Sequence, residues 1–524
     1  MFTDSLWEEW LSHELLNYEI TTGKKKYIKK GYTHFDHRFW LPSQKGDLKK
    51  VLANGLKVFN RTNKKMQWYA FTPFLKLLLK TPRYRYQEEE GHYDLESKIR
   101  PICFASHFDS LIFGFYSFGL NKKYQEYINA NSFEECVLAY RSDTGKCNIQ
   151  YSKEVFDQIK AFNIVHGSCT AIALDIKGYF DNINHNILKE KWIKVWGTKL
   201  PDDQYQLFKN LTRYSYVNKI NLYKKYNINE NELRKKKKFP STLAELIPGH
   251  TIQAKYDQLK MDKLIIQNKV SEKKPIPVGV PQGSAMSALL SNIYLIDYDK
   301  RLMELSKLKG FIYRRYCDDI IIICQTPMAK ELKDFAIKEV KEKYHLVIQK
   351  EKAEIIDFLS DSHNIIRSFR RKKEIPDQTI TPTVQNEKVL YKNLQYLGFE
   401  FNGADTFIRS SSVSRYFRKM KSRLDKTVKM AYGAKSKGEK IYRFQIYEKY
   451  SHFGTQNFIS YARKAASKQY KTRKNEWKEG HNSPSIRKQL NKHMQVMESA
   501  LTAKNKRQFN LKKTSNKKIF LKKG

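Results

Sequence analysis

Two adjacent aspartates, Asp318 and Asp319, stand in the stretch RRYCDDIIIIC, between an aromatic-basic run and four consecutive isoleucines. Side by side they repel, and desolvating either one is costly. A hairpin turn would use them, because aspartate favours turns. A metal site would need them, because a divalent cation inverts the local charge balance. What separates the two readings is a partner carboxylate delivered by a second strand. Asp175 fits that description: it closes the apolar run TAIAL and is followed by IKGYFDNINH, where a helix begins. Carboxylates converging from separate rigid strands are what two-metal phosphoryl transfer requires. Mg²⁺ takes few protein carboxylates and leaves the rest of its shell to water and phosphate.

Between these acids lies PVGVPQGSAMSALLSNIYL, Pro277 to Leu295. Pro-Gln-Gly-Ser spells a tight loop, and the small and apolar residues after it spell a helix. Small residues let a backbone or a base approach closely, and a helix N-terminus favours phosphate. Each feature alone has an ordinary structural explanation: a turn, a helix cap, a packing helix. The ordered set of strand-ending aspartate, glycine loop with helix, and aspartate hairpin does not.

The elements that must hold these residues are partly legible. Thr170 to Ile176 reads as a buried strand, and GFIYRRYCDDIIIICQ as strand, tight turn, strand. AKELKDFAIKEVKEKY has the spacing of an amphipathic helix, and LQYLGFEFNG that of a short β segment with glycine punctuation. Residues 1–90 read as mostly helical and residues 91–170 as helix and loop. Residues 219–275, rich in lysine, read as a solvated insertion. From about 405 the pattern is helical and basic. The last stretch, from Lys504, has nine Lys/Arg and no acid, the composition of a tail that is disordered when free.

The chain has 524 residues, 98 Lys+Arg against 54 Asp+Glu, and a formal net charge of +44. That imbalance calls for a polyanionic partner, with nucleic acid first and an anionic membrane second. No amphipathic anchor or lipidation motif supports the membrane. Six cysteines show no CxxC spacing, which argues against a zinc ribbon and for reduced thiols. The first residues carry acids early and have no apolar h-region. No apolar run approaches the ~20 residues of a spanning helix. The expectation is a soluble, cytoplasmic protein.

Taken together, the motifs resemble the palm domain of reverse transcriptases. DIKGYF (Asp175–Phe180) resembles motif A, and GVPQGSAMSALLSNIYL (Gly279–Leu295) motif B. YCDD (Tyr316–Asp319) resembles the Y-x-D-D box, LVIQKEKAEII (Leu346–Ile356) motif D, and LQYLGFEFNG (Leu394–Gly403) motif E. RPICFASHFD resembles the fingers motif of intron-type and retron-type enzymes, and LAYRSDTGKCNI the segment before motif A. The resemblance covers residues 95–405 with its motifs in order. It implies an α+β right-hand polymerase: fingers, a palm built on an antiparallel sheet, a helical thumb and a basic helical C-terminal extension. The implied boundaries are 1–90 for an N-terminal extension, 91–170 for fingers, 171–403 for palm, 404–500 for thumb and C-terminal region, and 501–524 for a flexible tail.

Roles follow from the resemblance residue by residue. Asp175 and Asp318 bind two Mg²⁺ ions, with Mn²⁺ as a substitute. The Ile176 carbonyl assists, and Asp319 contributes less directly. Arg100 clamps the triphosphate, and Phe180, beside Tyr179, crowds a ribose 2′-hydroxyl and so selects dNTPs. Gln282 and Gly283 line the nascent base pair. Lys352 donates a proton to pyrophosphate. Ala353 stands where threonine is frequent, which leaves Lys350 as an alternative. Tyr316 packs beneath the primer end with Cys317 beside it, and Arg141 and Gly398 touch primer and template.

The seven acids after Gly403 (Asp405, Asp425, Glu439, Glu448, Glu476, Glu479 and Glu498) are scattered and show no RNase H-like arrangement. Residues 105–128, 138–149 and 199–217 resemble bacterial defence-associated reverse transcriptases of the unknown groups. That resemblance implies RNA-templated DNA synthesis in anti-phage defence. The implied partners are a cognate non-coding RNA, dNTPs and a DNA product, with self-association in some members. A retron-type or intron-derived enzyme is the nearest rival, and a catalytically silent RNA-binding scaffold or toxin is the rival from another class.

Overall fold

The hairpin that carries the paired aspartates is anchored by its isoleucines. Ile320 to Cys324 are buried to the last residue, so the greasy run is core and only the turn before it emerges. The computed structural model describes residues 3–22, 32–36, 66, 69–87, 91–141, 143–236, 238–272, 274–349, 353–361, 363–370, 391–433, 440–472 and 474–520. Its strands are β1 (Phe74–Gln87), β2 (His92–Phe104), β3 (Ser168–Asp175), β4 (Ser215–Asn218), β5 (Ile265–Gln267), β6 (Ile312–Tyr316) and β7 (Asp319–Cys324). These are followed by β8 (Glu354–Ser360), β9 (Ile366–Arg370), β10 (Leu394–Tyr396), β11 (Phe399–Phe401), β12 (Thr406–Ile408), β13 (Gln469–Lys471) and β14 (Trp477–Glu479). Helices and strands are mixed throughout. Two units are distinguished: residues 1–140, 174–320 and 332–353, and residues 141–173, 321–331 and 354–524. One five-stranded sheet has the order β6-β7-β3-β8-β9.

In the first unit, β1 and β2 form a long antiparallel hairpin, from Leu75 opposite Phe104 to Gln87 opposite His92. β4 joins β1 in parallel, and β5 joins β4. Within residues 1–90, expected to be mostly helical, Asp4–Thr22 is a helix, Phe74–Gln87 is a strand instead, and most of residues 23–68 lie outside the described residues. In FLKLLLKTPRYRYQ, Lys76 and Lys80 stand on the face opposite Leu75 and Leu77, the two leucines that pack in the core. The lysine-rich region 219–275 is corrected too. It forms the helices Lys219–Lys225, Glu230–Lys235 and Ile252–Met261, and its Leu222, Leu243, Ile247 and Leu259 pack with Leu75, Val217 and Phe35 into a buried cluster. Its cations lie outward and its sparse leucines inward.

Three helices of this unit, His107–Ala130, His185–Trp196 and Ala285–Tyr294, pack on one another. Each starts on a side-chain cap: Ser106, Asn184 and Ser284 accept the N–H groups of Asp109, Asn186 with Ile187, and Met286. The second ends on Gly197, at φ 88.

In the second unit, the helix Asn148–His166 ends on Gly167, at φ 74, and leads into β3. β3 pairs antiparallel with β8, and β8 with β9. β10, β11 and β12 form a small meander. The helix Ser410–Ala431 buries Tyr416, Met420, Leu424, Val428 and Ala431 at helical spacing and turns Arg415, Arg418, Lys419, Lys421 and Lys426 away from that stripe. The helix His493–Phe520 packs on it. Residues 501–520 of the expected flexible tail are part of this helix, and residues 521–524 lie outside the described residues. No Gly or Pro interrupts residues 493–520, Met497 and Leu501 are buried, Lys504 pairs with Asp425 at 3.0 Å, and the Tyr432 hydroxyl donates to Asn505 Oδ1 at 2.8 Å. Among the described residues, no helix is long and apolar enough to cross a membrane.

Candidate active site

β6 and β7 are joined by the two-residue turn Cys317-Asp318. Cys317 has φ 59, the left-handed region that side-chain-bearing residues avoid. Asp175 ends β3 on the neighbouring strand. The Ile176 N–H donates to the Asp318 carbonyl at 3.0 Å, and the Gln349 N–H donates to the Asp175 carbonyl at 2.8 Å. The main chain at Asp175-Ile176 is therefore held between the turn and the segment before β8. Asp175, Asp318, Asp319 and Tyr316 are half-buried, while Ile176 is buried.

The loop after Asp175 is tied on its other side to the strap 277–283. The Val280 N–H donates to the Phe180 carbonyl at 2.9 Å, and the Gly279 N–H to the Ile183 carbonyl at 2.8 Å. His185 adds an Nε2–H bond to the Gly279 carbonyl at 2.9 Å, and burial holds its imidazole pKa down at about 4. Farther along, the Gln282 carbonyl accepts the Cys103 N–H from the end of β2 at 2.8 Å. A line of main-chain bonds thus links turn, strand end, strap and hairpin.

Gly283 sits where this line is tightest. Its φ is 119, and a Cβ there would stand 2.7 Å from the Cys103 carbonyl oxygen and 3.1 Å from Ile102 Cγ2. Only glycine fits both the backbone and the space. Phe180 is half-buried, as a ring flanking an open site would be. Tyr179, expected at the nucleotide, is corrected. It is 3 % exposed and its hydroxyl donates to the Ser291 carbonyl, so it fastens the helix Ala285–Tyr294 instead of presenting a face.

Arg100 is exposed on β2, opposite Leu79. Successive residues of a strand alternate in face, so Arg100 and Cys103 project to opposite sides. Lys76, opposite Cys103, shares the Cys103 side. Burial pushes the Cys103 thiol pKa up to about 11, with the Lys76 ammonium opposing and the Asp181 carboxylate adding. Lys76 is a cation toward this face that the sequence motifs did not single out. The Cys317 thiol is likewise pushed up to about 11, by burial and then by Asp318, which suits packing and not redox chemistry. Lys352 and Lys350 lie outside the described residues.

Arg141 and Gly398 belong to the second unit. The Arg141 guanidinium is nearly buried and bidentate on Asp143, at 2.8 Å and 2.6 Å, so it braces its own loop. Gly398, at φ 90, forms the turn between β10 and β11 and accepts the Arg409 N–H at 3.0 Å.

The most buried polar group near the turn was not anticipated. Arg315 and Asp299 are both fully buried and form a bidentate pair, directly beneath Cys317. The sign of it was in the sequence. In IYRRY, Tyr313 and Arg315 fall on the same, inward face, and an inward arginine demands a buried acid.

Asp175 and Asp318 offer hard oxygen donors from adjacent strands, the type Mg²⁺ takes. Among the described residues, no group of three or more His, Cys, Asp or Glu is placed to hold a metal ion. An Mg²⁺ ion held by Asp175 and Asp318 would complete its shell with water and substrate phosphate.

Residues 209–401 match the family model described as reverse transcriptase (RNA-dependent DNA polymerase). The match takes in Gln282, Gly283, Asp318, Asp319 and Gly398, and begins after Asp175. This stretch of the chain is therefore similar to reverse transcriptase domains. No curated protein matches. Among solved structures, a telomerase from Candida albicans in complex with a TWJ fragment of telomeric RNA is 12% identical over 74% of this chain and 54% of its own, with a TM-score of 0.33. An apo telomerase from Candida tropicalis is 14% identical over 97% of this chain and 68% of its own, with a TM-score of 0.37. The chain spans about half the length of the first of these.

Proposed function

We propose that this protein copies an RNA template into DNA by two-metal nucleotidyl transfer, as a right-hand polymerase whose palm centres on β3, β6 and β7. The observation that carries the reading is the line of main-chain bonds from Asp318 through Ile176 and Phe180 to Val280. It draws the Asp175 strand end, the Asp318 turn and the Gln282-Gly283 loop into one framework. In this reading Asp175 and Asp318 hold two Mg²⁺ ions with the Ile176 carbonyl, and Asp319 supports them. Held there, such ions would supply activation of a primer 3′-hydroxyl and charge neutralisation for the triphosphate and pyrophosphate. Phe180 excludes the 2′-hydroxyl, Gln282 and Gly283 bound the base pair, and Lys76, on the Cys103 face of the β1–β2 hairpin, supplies a cation for the triphosphate, while Arg100 stands on the opposite face. Lys352 serves the leaving group.

The partners proposed are a cognate non-coding RNA, dNTPs and the DNA product. A net charge of +44 supports a polyanion. The segments 105–128, 138–149 and 199–217 support a role in anti-phage defence. The test is to purify the protein with its RNA, add Mg²⁺ and labelled dNTPs, and compare it with Asp318→Ala/Asp319→Ala. Wild type makes DNA and the variant makes none. Absence of a product on any template overturns the polymerase. Phage plating on cells carrying each form tests defence separately.

A further inference from the structure

We infer that Arg315, held by Asp299, is a positioning residue for the catalytic turn: it fixes the Cys317-Asp318 peptide and so aims the Asp318 carboxylate at the metal. The inference rests on the polymerase reading and names what regulates the geometry of that same site.

Arg315 is fully buried at the penultimate residue of β6. Its Nε donates to Asp299 Oδ1 at 2.7 Å and its Nη2 to Asp299 Oδ2 at 2.5 Å. Its Nη1 donates to the Cys317 carbonyl at 3.0 Å and to Asn292 Oδ1 at 3.3 Å. Four of the five N–H groups of a guanidinium are thus engaged. The acid is fixed in turn by the Tyr313 hydroxyl, which donates to Asp299 Oδ1 at 2.6 Å. Asn292 is fixed by its own amide, which donates to the Ala139 carbonyl at 2.8 Å. The strand is held from behind as well, since the Leu138 N–H donates to the Arg315 carbonyl at 2.9 Å.

Two observations say that this cluster serves the turn. Cys317 has φ 59, a conformation a cysteine does not hold unaided, and Arg315 Nη1 grips its carbonyl. That carbonyl belongs to the peptide leading into Asp318, so its direction sets where the Asp318 side chain leaves the chain. Stability alone does not call for the pair, because a buried ion pair is commonly matched or bettered by apolar residues of equal volume. What an apolar pair lacks is a donor for the Cys317 carbonyl.

The experiment replaces the pair and its hydroxyl partner together, Asp299→Leu/Tyr313→Phe/Arg315→Met, and sets it beside Arg315→Lys, which keeps the buried charges but cannot reach both Asp299 and the Cys317 carbonyl. Mn²⁺ binding is read by electron paramagnetic resonance, with Asp318→Asn marking the signal that belongs to this site. Melting temperature and the Mg²⁺ dependence of dNTP addition are read alongside. The expected result is a folded protein that binds Mn²⁺ about tenfold more weakly and needs about tenfold more Mg²⁺ for half-maximal rate. Its KM for dNTP moves less than about twofold. If the triple variant does not fold, the lysine variant carries the same expectation. Wild-type Mn²⁺ affinity and Mg²⁺ dependence in a folded variant overturn the positioning role. If wild type makes no DNA yet binds Mn²⁺ through Asp318, the polymerase reading fails, and the positioning role stands or falls on Mn²⁺ binding.

Discussion

Gly283→Ala puts a single methyl group into the narrowest gap of the site. The new Cβ would lie 2.7 Å from the Cys103 carbonyl oxygen, where ordinary contact begins at 3.4 Å, and that oxygen is main chain of β2 with no flexible end to swing away. The loop must retreat by about 0.7 Å or the hairpin must yield by as much. The φ of 119 adds backbone strain of about 1–3 kcal/mol for any residue with a side chain. Stretching the 2.8 Å bond between the Gln282 carbonyl and the Cys103 N–H removes about 1 kcal/mol more. The stability loss is therefore roughly 2–4 kcal/mol. Displacing Gln282 by the better part of an ångström should lower kcat/KM for single-dNTP addition about 10²-fold. Gly310→Ala is the control: its φ is 68, nothing lies within 4 Å of its would-be Cβ, and it stands at the far end of β6. It carries backbone strain of about 1–2 kcal/mol and no displacement, so its kcat/KM stays at wild type. Melting curves and single-turnover addition on both variants decide the matter. Equal, near-wild-type kcat/KM in the two would refute the claim that the Cys103 contact positions the loop.

The other expectations are briefer. Asp175→Asn should leave the melting temperature near wild type and cut dNTP incorporation to below roughly 1 %; a variant that retains a tenth of the activity removes Asp175 from the metal-binding role. Phe180→Ala should reduce discrimination against rNTPs by about 10²-fold, read as the ratio of kcat/KM for dNTP and rNTP, and an unchanged ratio means the ring is not the 2′-hydroxyl barrier. His185 gives a pH signature. The unfolded chain takes up its proton near 6.5 and the folded chain near 4, so its contribution is complete above 6.5 and is lost as pH falls through that window, a change on the order of 3 kcal/mol. His185→Gln, whose amide can also donate to the Gly279 carbonyl, should flatten the melting temperature between pH 6.5 and 4; a variant with the wild-type slope assigns that acid sensitivity elsewhere.

The parts of the site that were legible from the chain are those whose signal is local. The isoleucines after Asp319, the apolar run before Asp175 and the helix Ala329–Tyr344 each carry their own periodicity, and each formed where it was expected. What failed was what depends on a partner. Residues 74–87 carry three consecutive leucines between two lysines, a pattern that suits a helix face as readily as a strand until β2 lies beside it. Residues 219–275 looked solvated because their leucines are few, but a few leucines suffice when β1 and β4 supply the other wall of the cluster. Arg141 was expected at primer and template from the resemblance, and nothing in its spacing says that Asp143 will fold back onto it.

Arg315 shows why the boundary falls there. The strand IYRRY places two arginines side by side, and alternation alone sends one out and one in. Arg314 is half-buried and reaches Glu135 at 3.4 Å, a pairing worth little when solvent competes. Arg315 is sealed at zero exposure, where an unpaired guanidinium would be prohibitive, so its acid had to exist somewhere in the chain. Periodicity can demand that partner but cannot choose it among 54 carboxylates. The choice falls to Asp299 because its helix, Ile296–Lys309, leads directly into β6 through Gly310, at φ 68, and the chain reverses there with the acid and the base on facing sides. The same guanidinium that pairs with Asp299 sets its Nη1 against the Cys317 carbonyl. The ion pair and the hold on the turn before Asp318 are thus two uses of one buried arginine.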